Sequence, residues 1–433
     1  MYRLPTVSLQ SKLSRLAIAQ PGTGPAAPDA SRAQLLTDLR ARIQSALERG
    51  ARRAPDSPPP VDTVDLPFAS QATASGVLHV RMQRLSAAHR TGWARVADAF
   101  DARADLLALL ALDPGLAQCD PRRALYLDTE TTGLSGGAGT VAFLVGIAWW
   151  EDRTLVLEQL LVRALGEEGP MLERLRERLA AASMLVTFNG KSFDMPLLRT
   201  RFVMARMPVP PIPPHLDLLH VARRVHGKRR AAGCRLVSIE REVLGFARED
   251  DVASGDVSAC YLHFLRTGEP RALLGVIEHN AWDVVAMAAL VGLYGEPLSN
   301  GLAPDDLAGI ARTLQRAGAL DRALVIADAA VERGGTTTTL PLLARARIAK
   351  ARGDRAGALA DFESLCAAAD EPAVRLELAK LYEHWVKAPA RALEWAARGT
   401  SERPAMAKKR SDRLVRKIDR ALQATRTRLH ALR

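Results

Sequence analysis

The strongest constraint on the fold is the order of apolar strands and helices between residues 123 and 294. Ala124-Leu-Tyr-Leu-Asp128 is an apolar strand that ends in an acid. Thr140–Trp149 and Thr154–Val162 read as two more strands. Glu151-Asp152-Arg153 joins them, a connection short enough for an antiparallel hairpin. A helix over about Gly169–Ala182 is followed by a strand at Met184–Phe188 and a helix at Phe193–Ala205. A Pro-rich loop, Met207–Pro214, leads to a short strand at His215–Leu218. Helices are expected at about Val237–Leu244, Val257–Leu265 and Arg271–Tyr294. Strands separated by helices pair in parallel through crossovers, whereas the first three form a meander. The order predicts an α/β domain over residues 123–296, a mixed sheet flanked by helices.

With 433 residues, the chain holds more than this domain. Residues 1–87 contain Gln20–Pro28 and Ala54–Pro60, rich in Gly and Pro. Such composition buries too little apolar surface to offset chain entropy, so this region is expected to be largely disordered. One helix is expected inside it, Arg32–Glu48, where Leu35, Leu36, Leu39, Ile43 and Leu47 recur at helical spacing. Residues 88–122 are a lead-in, and Leu78–Cys119 reads as a strand followed by a helix. No apolar run reaches the roughly 18 residues that span a bilayer. The opening Met-Tyr-Arg-Leu-Pro lacks the apolar core of a secretory signal. Cys119, Cys234, Cys260 and Cys366 form no C-x-x-C pair. These features predict a cytoplasmic protein with no membrane contact, disulfide framework or zinc ribbon.

Residues 302–403 are helical and repetitive. Arg322-Ala-Leu324, Gly357-Ala-Leu359 and Arg391-Ala-Leu393 recur with steps of 35 and 34, and Gly318 and Gly353 separate paired helices. This period resembles tetratricopeptide repeats, so an all-α, TPR-like helical repeat domain is expected, with a concave face suited to a protein partner. Residues 404–433 carry ten Lys/Arg against two Asp, a net +8 of the chain's +12. Leu414, Ile418, Leu422 and Leu429 give this basic helix one apolar stripe. It reads equally as a cap on the repeats and as a contact for a polyanion.

Three short elements carry chemistry. Asp128 and Glu130 stand two apart at a strand end and so share a face. Two like charges held together call for a balancing cation, and oxygen donors suit a divalent metal. Taken alone, such a pair in a Thr-rich turn is more often structural. Thr187-Phe-Asn-Gly-Lys-Ser-Phe-Asp194 runs from a strand through an Asn-Gly turn into a helix with Asp194 in its first turn. Asp is favoured there by the helix dipole whether or not it has a function. Glu278-His279-Asn280-Ala-Trp-Asp283 lies on the last long helix, with His279 and Asp283 at i and i+4 on one face. Ile277, Ala281, Val284 and Ala288 cluster on the other side, which leaves the pair off the apolar stripe; exposed His–Asp pairs of this kind are common.

Together, and in this order, the elements resemble the motifs of the DEDD superfamily of 3′–5′ exonucleases. Asp128-Thr-Glu130-Thr-Thr-Gly133 is similar to the first motif, Asn189–Asp194 to the second and His279–Asp283 to the third. The chain also resembles the YprB-type ribonuclease H-like family through Phe188–Leu198, His215-Leu-Asp217-Leu-Leu219, Cys234-Arg-Leu236, Ile239-Glu240 with Val243-Leu-Gly245, Tyr261, Phe264-Leu265 and His279–Val284. The likeness covers about Ala124–Tyr294. It implies a ribonuclease H-like fold and a 3′–5′ exonuclease in which Asp128, Glu130, Asp194 and Asp283 hold two divalent ions, Mg²⁺ or Mn²⁺. One departure stands out. The base of the histidine subclass lies five residues before the last Asp, which here is Glu278. His279 stands at the tyrosine-subclass spacing.

His279 is the expected base, and Asn189 and Lys191 the expected contacts to the scissile strand. The basic run Arg223–Arg235, including Arg229 and Arg230, is expected to bind phosphates of a DNA or RNA substrate. Asp217 and Glu240 read as structural, a helix cap and a helix-face acid. The same residues also allow a non-cleaving nucleic-acid adaptor that recruits a protein through its repeats, or a structure-specific endonuclease.

Overall fold

The computed structural model describes residues 65–133, 139–227, 233–298, 301–335 and 338–431. The expected helix Arg32–Glu48 lies outside them. One seven-stranded sheet organises residues 65–295. Its strands are β1 (Ala69–Thr73), β2 (Gly76–Leu85), β3 (Ala124–Thr131), β4 (Ala142–Glu151), β5 (Thr154–Leu161), β6 (Met184–Thr187) and β7 (His215–Asp217). The spatial order is β1-β2-β5-β4-β3-β6-β7. The first five strands pair antiparallel; β6 joins β3, and β7 joins β6, in parallel. Asp152-Arg153 closes the β4–β5 hairpin, with Asp152 at φ 51°.

Two of these strands correct the composition-based boundary. Residues 69–85, which the boundary at residue 87 places in the disordered region although a strand is expected from Leu78, form the β1–β2 hairpin on the sheet edge. Gly76–Leu85 alternates inward Leu78 and Val80 with polar residues, and that period outweighs the Pro-rich sequence upstream.

Helices cover both faces. On one side α2 (Gly169–Ala181) and α3 (Asp194–Met204) bury Leu172, Leu175, Leu179, Leu198 and Phe202 against Leu125, Leu127, Val145 and Ile147. On the other lie α1 (Ala104–Ala111), α4 (Leu218–Val225), the short α5 (Leu236–Ile239) with its π turn Glu240–Leu244, α6 (Val257–Thr267) and α7 (Arg271–Gly295). Helix α4 takes in the start of the basic run, Arg223 and Arg224. Helix α7 crosses the sheet, and 78 % of its most apolar 18-residue window is buried. By length and composition alone it is apolar enough to cross a membrane, contrary to the expectation from sequence; here it is the core helix. Alternation along β3 points Tyr126, Asp128 and Glu130 to one face and Leu125 and Leu127 to the other, into α2 and α3.

The C-terminal region is helical: α8 (Pro304–Arg316), α9 (Leu320–Gly334), α10 (Thr339–Arg352), α11 (Arg355–Ala368), α12 (Pro372–Leu381), α13 (Pro389–Ala397) and α14 (Pro404–Ala431). The three repeated triplets begin α9, α11 and α13, and their central residues Ala323, Ala358 and Ala392 are fully buried. A small residue recurs there because neighbouring helices approach closely. Leu307, Ile310, Leu314 and Ile326 share one core with Val221, Val225 and Tyr294 of the sheet domain. At the seam Gly309 leaves no room for a Cβ, which would meet the Val225 carbonyl oxygen at 1.9 Å. Buried His226 joins Asp306 and Tyr294 through its two ring nitrogens, both at 2.8 Å.

Candidate active site

Asp128, Glu130, Asp194, His279 and Asp283 line one cleft of about 320 Å³ at the end of β3 and β6. Three pieces of backbone deliver them. The strand supplies Asp128 and Glu130 with their side chains on one face. The turn after β6 supplies Asn189, whose left-handed φ of 72° Asn tolerates, and then Asp194 in the first turn of α3. Helix α7 supplies His279 and Asp283, one turn apart.

Each acid is held by a neutral donor or a charge. Thr129 Oγ1 donates to Asp194 Oδ1 at 2.6 Å. Asn280 Nδ2 donates to Asp128 Oδ2 at 2.9 Å, while Gln159 Nε2 orients that amide by donating to Asn280 Oδ1 at 3.0 Å and to the Ile277 carbonyl at 2.7 Å. Asp217 caps α4 through the Leu219 N–H at 3.1 Å. It also accepts from the Asn189 and Lys191 N–H groups at 2.8 and 3.1 Å, which ties down the Asn-Gly turn.

Electrostatics mark the cluster as short of positive charge. Burial pushes Asp128 well above the usual carboxylate range, and repulsion from Asp283, Glu130 and Asp194 adds to it. Burial carries Glu130 up to about 8 and Asp194 up to about 6, the latter against the Thr129 hydrogen bond. Burial alone would lower His279. The Asp251 hydrogen bond and the carboxylates of Asp283 and Glu130 overcome it and hold the ring at about 9. One ligand atom each from Glu130, His279 and Asp283 lie within 4.8 Å of one another. Hard oxygen donors beside one imidazole fit a divalent cation such as Mg²⁺ or Mn²⁺.

His279 is not an exposed helix residue, as a reading from helix periodicity alone would have it. It is buried against residues 248–251: Nδ1 lies 2.7 Å from Asp251 Oδ1, and Nε2 faces Asp283 Oδ2 at 3.5 Å and Glu130 Oε1 at 3.9 Å. Glu240 is fully buried and paired with Arg248 rather than standing on an open helix face.

Not every expected contact gathers here. Asn189 lines the cleft, whereas Lys191 points to Asp113 at 3.9 Å. Arg229 and Arg230 lie outside the described residues. His226 of the same basic run is buried at the seam with α8 and presents nothing to a phosphate. Arg224 donates to the Leu110 carbonyl at 3.1 Å. Sequence reasoning passed over Arg248 and Asp251, which stand in irregular chain between two helices, where no periodicity marks a side chain as facing the site. It also assigned no role to Asn280, although that residue adjoins His279.

Strand order, strand-end acids and the α7 pair define a domain of the RNase H superfamily, and residues 125–294 match that superfamily. Over 305 residues the chain is 32 % identical to the uncharacterized protein YprB of Bacillus subtilis (strain 168), covering 68 % of this chain and 73 % of that protein. The chain belongs to the family that includes YprB, and its residues 125–294 form a domain of the RNase H superfamily. A domain of this kind points to nuclease-type hydrolysis of nucleic acid, generally with divalent metal ions.

Proposed function

We propose that the protein is a metal-dependent nuclease that hydrolyses phosphodiester bonds as a DEDD-type 3′–5′ exonuclease. The observation that carries this reading is the convergence of Asp128, Glu130, Asp194 and Asp283 on one cleft. These four carboxylates would hold two Mg²⁺ or Mn²⁺ ions, which when bound stabilise charge on the attacking and leaving oxygens. His279 receives or orients the proton of the attacking water at Nε2, because Asp251 occupies Nδ1. Neutralised carboxylates around the ring would return it toward the uncharged form a base needs. Asn189 contacts the scissile strand at the cleft wall. The helical hairpins, read as TPR-like, offer a surface for a protein partner.

The test is a panel of end-labelled single-stranded and duplex DNA and RNA with Mn²⁺, each with the 5′ or the 3′ end blocked. Cleavage that stops only when the 3′ end is blocked is the expected result. Internal cuts would replace the exonuclease with an endonuclease. Failure to cut any substrate would leave a non-cleaving adaptor.

A further inference from the structure

Behind the cleft lies a buried cation that the reaction itself does not require. The Arg248 side chain is only 1 % exposed, and such a charge persists inside a protein only with close partners. Its Nε and Nη2 donate to Oε2 and Oε1 of Glu240 at 2.7 and 2.8 Å, a two-pronged bond to an acid that is itself fully buried. Nη2 also donates to Asp283 Oδ1, and Nη1 lies 3.4 Å from Asp251 Oδ2. Trp282 sits 5.5 Å from the guanidinium, with Phe246 packed edge-on against it. Neither Arg248 nor Glu240 lines the cleft.

We infer that Arg248 is the positioning residue of the site. Its fork occupies Oδ1 of Asp283, so that carboxylate offers the single oxygen Oδ2 to the cleft, beside His279 Nε2 and Glu130. Through Asp251 the same guanidinium steadies the group that holds His279 Nδ1, so that the ring offers Nε2. Each functional group on α7 is thereby engaged on its back side and left with one free atom facing forward. Glu240 is the anchor: bound at two points, Arg248 cannot swing to follow Asp283. Lysine could not do this. Its ammonium is one compact charge, with no planar fork to span Glu240 and Asp283 together. The inference rests on the proposed function in one respect, that Asp283 holds a cation.

Arg248→Lys in the full chain separates positioning from charge. Mn²⁺ binding followed by calorimetry is expected to weaken roughly 10–100-fold, the scale on which outer partners tune metal ligands. On a labelled strand kcat should fall while KM for the nucleic acid holds, because Arg248 does not touch the substrate. A variant that melts lower but binds Mn²⁺ as tightly as wild type, with kcat unchanged, overturns the inference and leaves Arg248 a structural residue only. If Arg248→Lys cannot be recovered folded, Glu240→Gln takes its place: it keeps the Asp283 contact and loosens the fork. Weaker Mn²⁺ binding supports the inference and unchanged binding overturns it. Wild-type protein that binds Mn²⁺ yet cuts nothing defeats the nuclease reading alone, and the affinity measurements still decide Arg248. Wild-type protein that binds no Mn²⁺ overturns both.

Discussion

Gly146 on β4 pairs directly with Asp128 on β3, and the space a Cβ would need is filled by the Asn280 side chain. An ideal Cβ would stand 2.3 Å from Asn280 Oδ1 and 2.9 Å from Val284 Cγ2. Central strands disfavour glycine, so its presence here marks the close approach of α7 to the sheet. Gly146→Ala is expected to push α7 away, costing about 1–3 kcal/mol as overpacking does. It should also break the Asn280–Asp128 hydrogen bond and depress activity. An unchanged melting temperature would show that Asn280 moves aside freely.

The carboxylates differ in what their removal does to the metal-free protein. Asp128 meets three other acids and one amide, so Asp128→Asn relieves repulsion and keeps an acceptor for Asn280. Its stability without metal should equal or exceed that of wild type. Asp283 also neutralises Arg248, so Asp283→Ala strips a partner from a buried cation. It should cost about 1–3 kcal/mol, the scale for an unsatisfied buried group. Both variants should lose phosphodiesterase activity. Thermal melts in chelator together with the labelled-strand assay read the two effects, and full activity in either variant would remove that residue from the site.

The three-part acid pattern was legible in the sequence because strand and helix periods place Asp128 with Glu130, and His279 with Asp283, from local spacing alone. The hairpin at Asp152 and the long helix from Arg271 were legible for the same reason. The back wall was not. Arg248 and Asp251 sit in irregular chain between α5 and α6, where no period says which way a side chain points. The burial of Glu240 and His279 follows from that wall. Strand β1 was hidden by a different cause, an edge strand adjoining a Pro-rich stretch whose composition dominated the reading, whereas a strand from Leu78, the core of β2, was legible.

His279 and Glu278 stand side by side on α7 but face different spaces. Glu278 lines a separate cavity with Arg81, Gln83 and Trp282, whereas His279 faces the acids. Helical spacing puts Glu278 roughly 140° from Asp283. His279→Ala should lower kcat by roughly 10²–10⁴ and Glu278→Ala should leave it near wild type. Asp251→Asn, which weakens the hold on Nδ1, should fall between them. An active His279→Ala enzyme, or an inactive Glu278→Ala one, would move the base elsewhere.

The acid side of the stability profile is set partly by Glu383, far from the cleft. The hydrogen bond from Arg413 leads in holding its pKa down to about 2, with Lys417 also donating to the carboxylate. A depressed carboxylate pKa stabilises the fold above the unfolded value near 4.5 and loses that contribution as pH falls from 4.5 toward 2. Glu383→Gln should therefore be less stable than wild type at neutral pH, and the gap should close across this window. Denaturant titrations at several pH values measure it; a gap that stays constant with pH would show that the ion cluster contributes nothing through charge.

The same cluster changes how the basic C-terminal helix has to be tested. Arg410 and Arg413 donate to Glu383 at 2.9 and 2.7 Å, Lys417 does so at 2.8 Å, and Leu414 between them is fully buried. These residues fasten α14 to the helical region, so deleting 404–433 would expose a buried acid and confound any effect on binding. Lys408, Lys409, Arg416 and Arg420 are exposed and offer free charge. Replacing these four by Ala should leave the melting temperature unchanged while weakening nucleic-acid binding. The slope of log affinity against log salt should shrink by roughly 0.7–0.9 for each phosphate the helix no longer neutralises. Turnover at saturating substrate should persist, because none of the four lines the cleft. An unchanged salt slope would assign α14 to closing the helical array and nothing more.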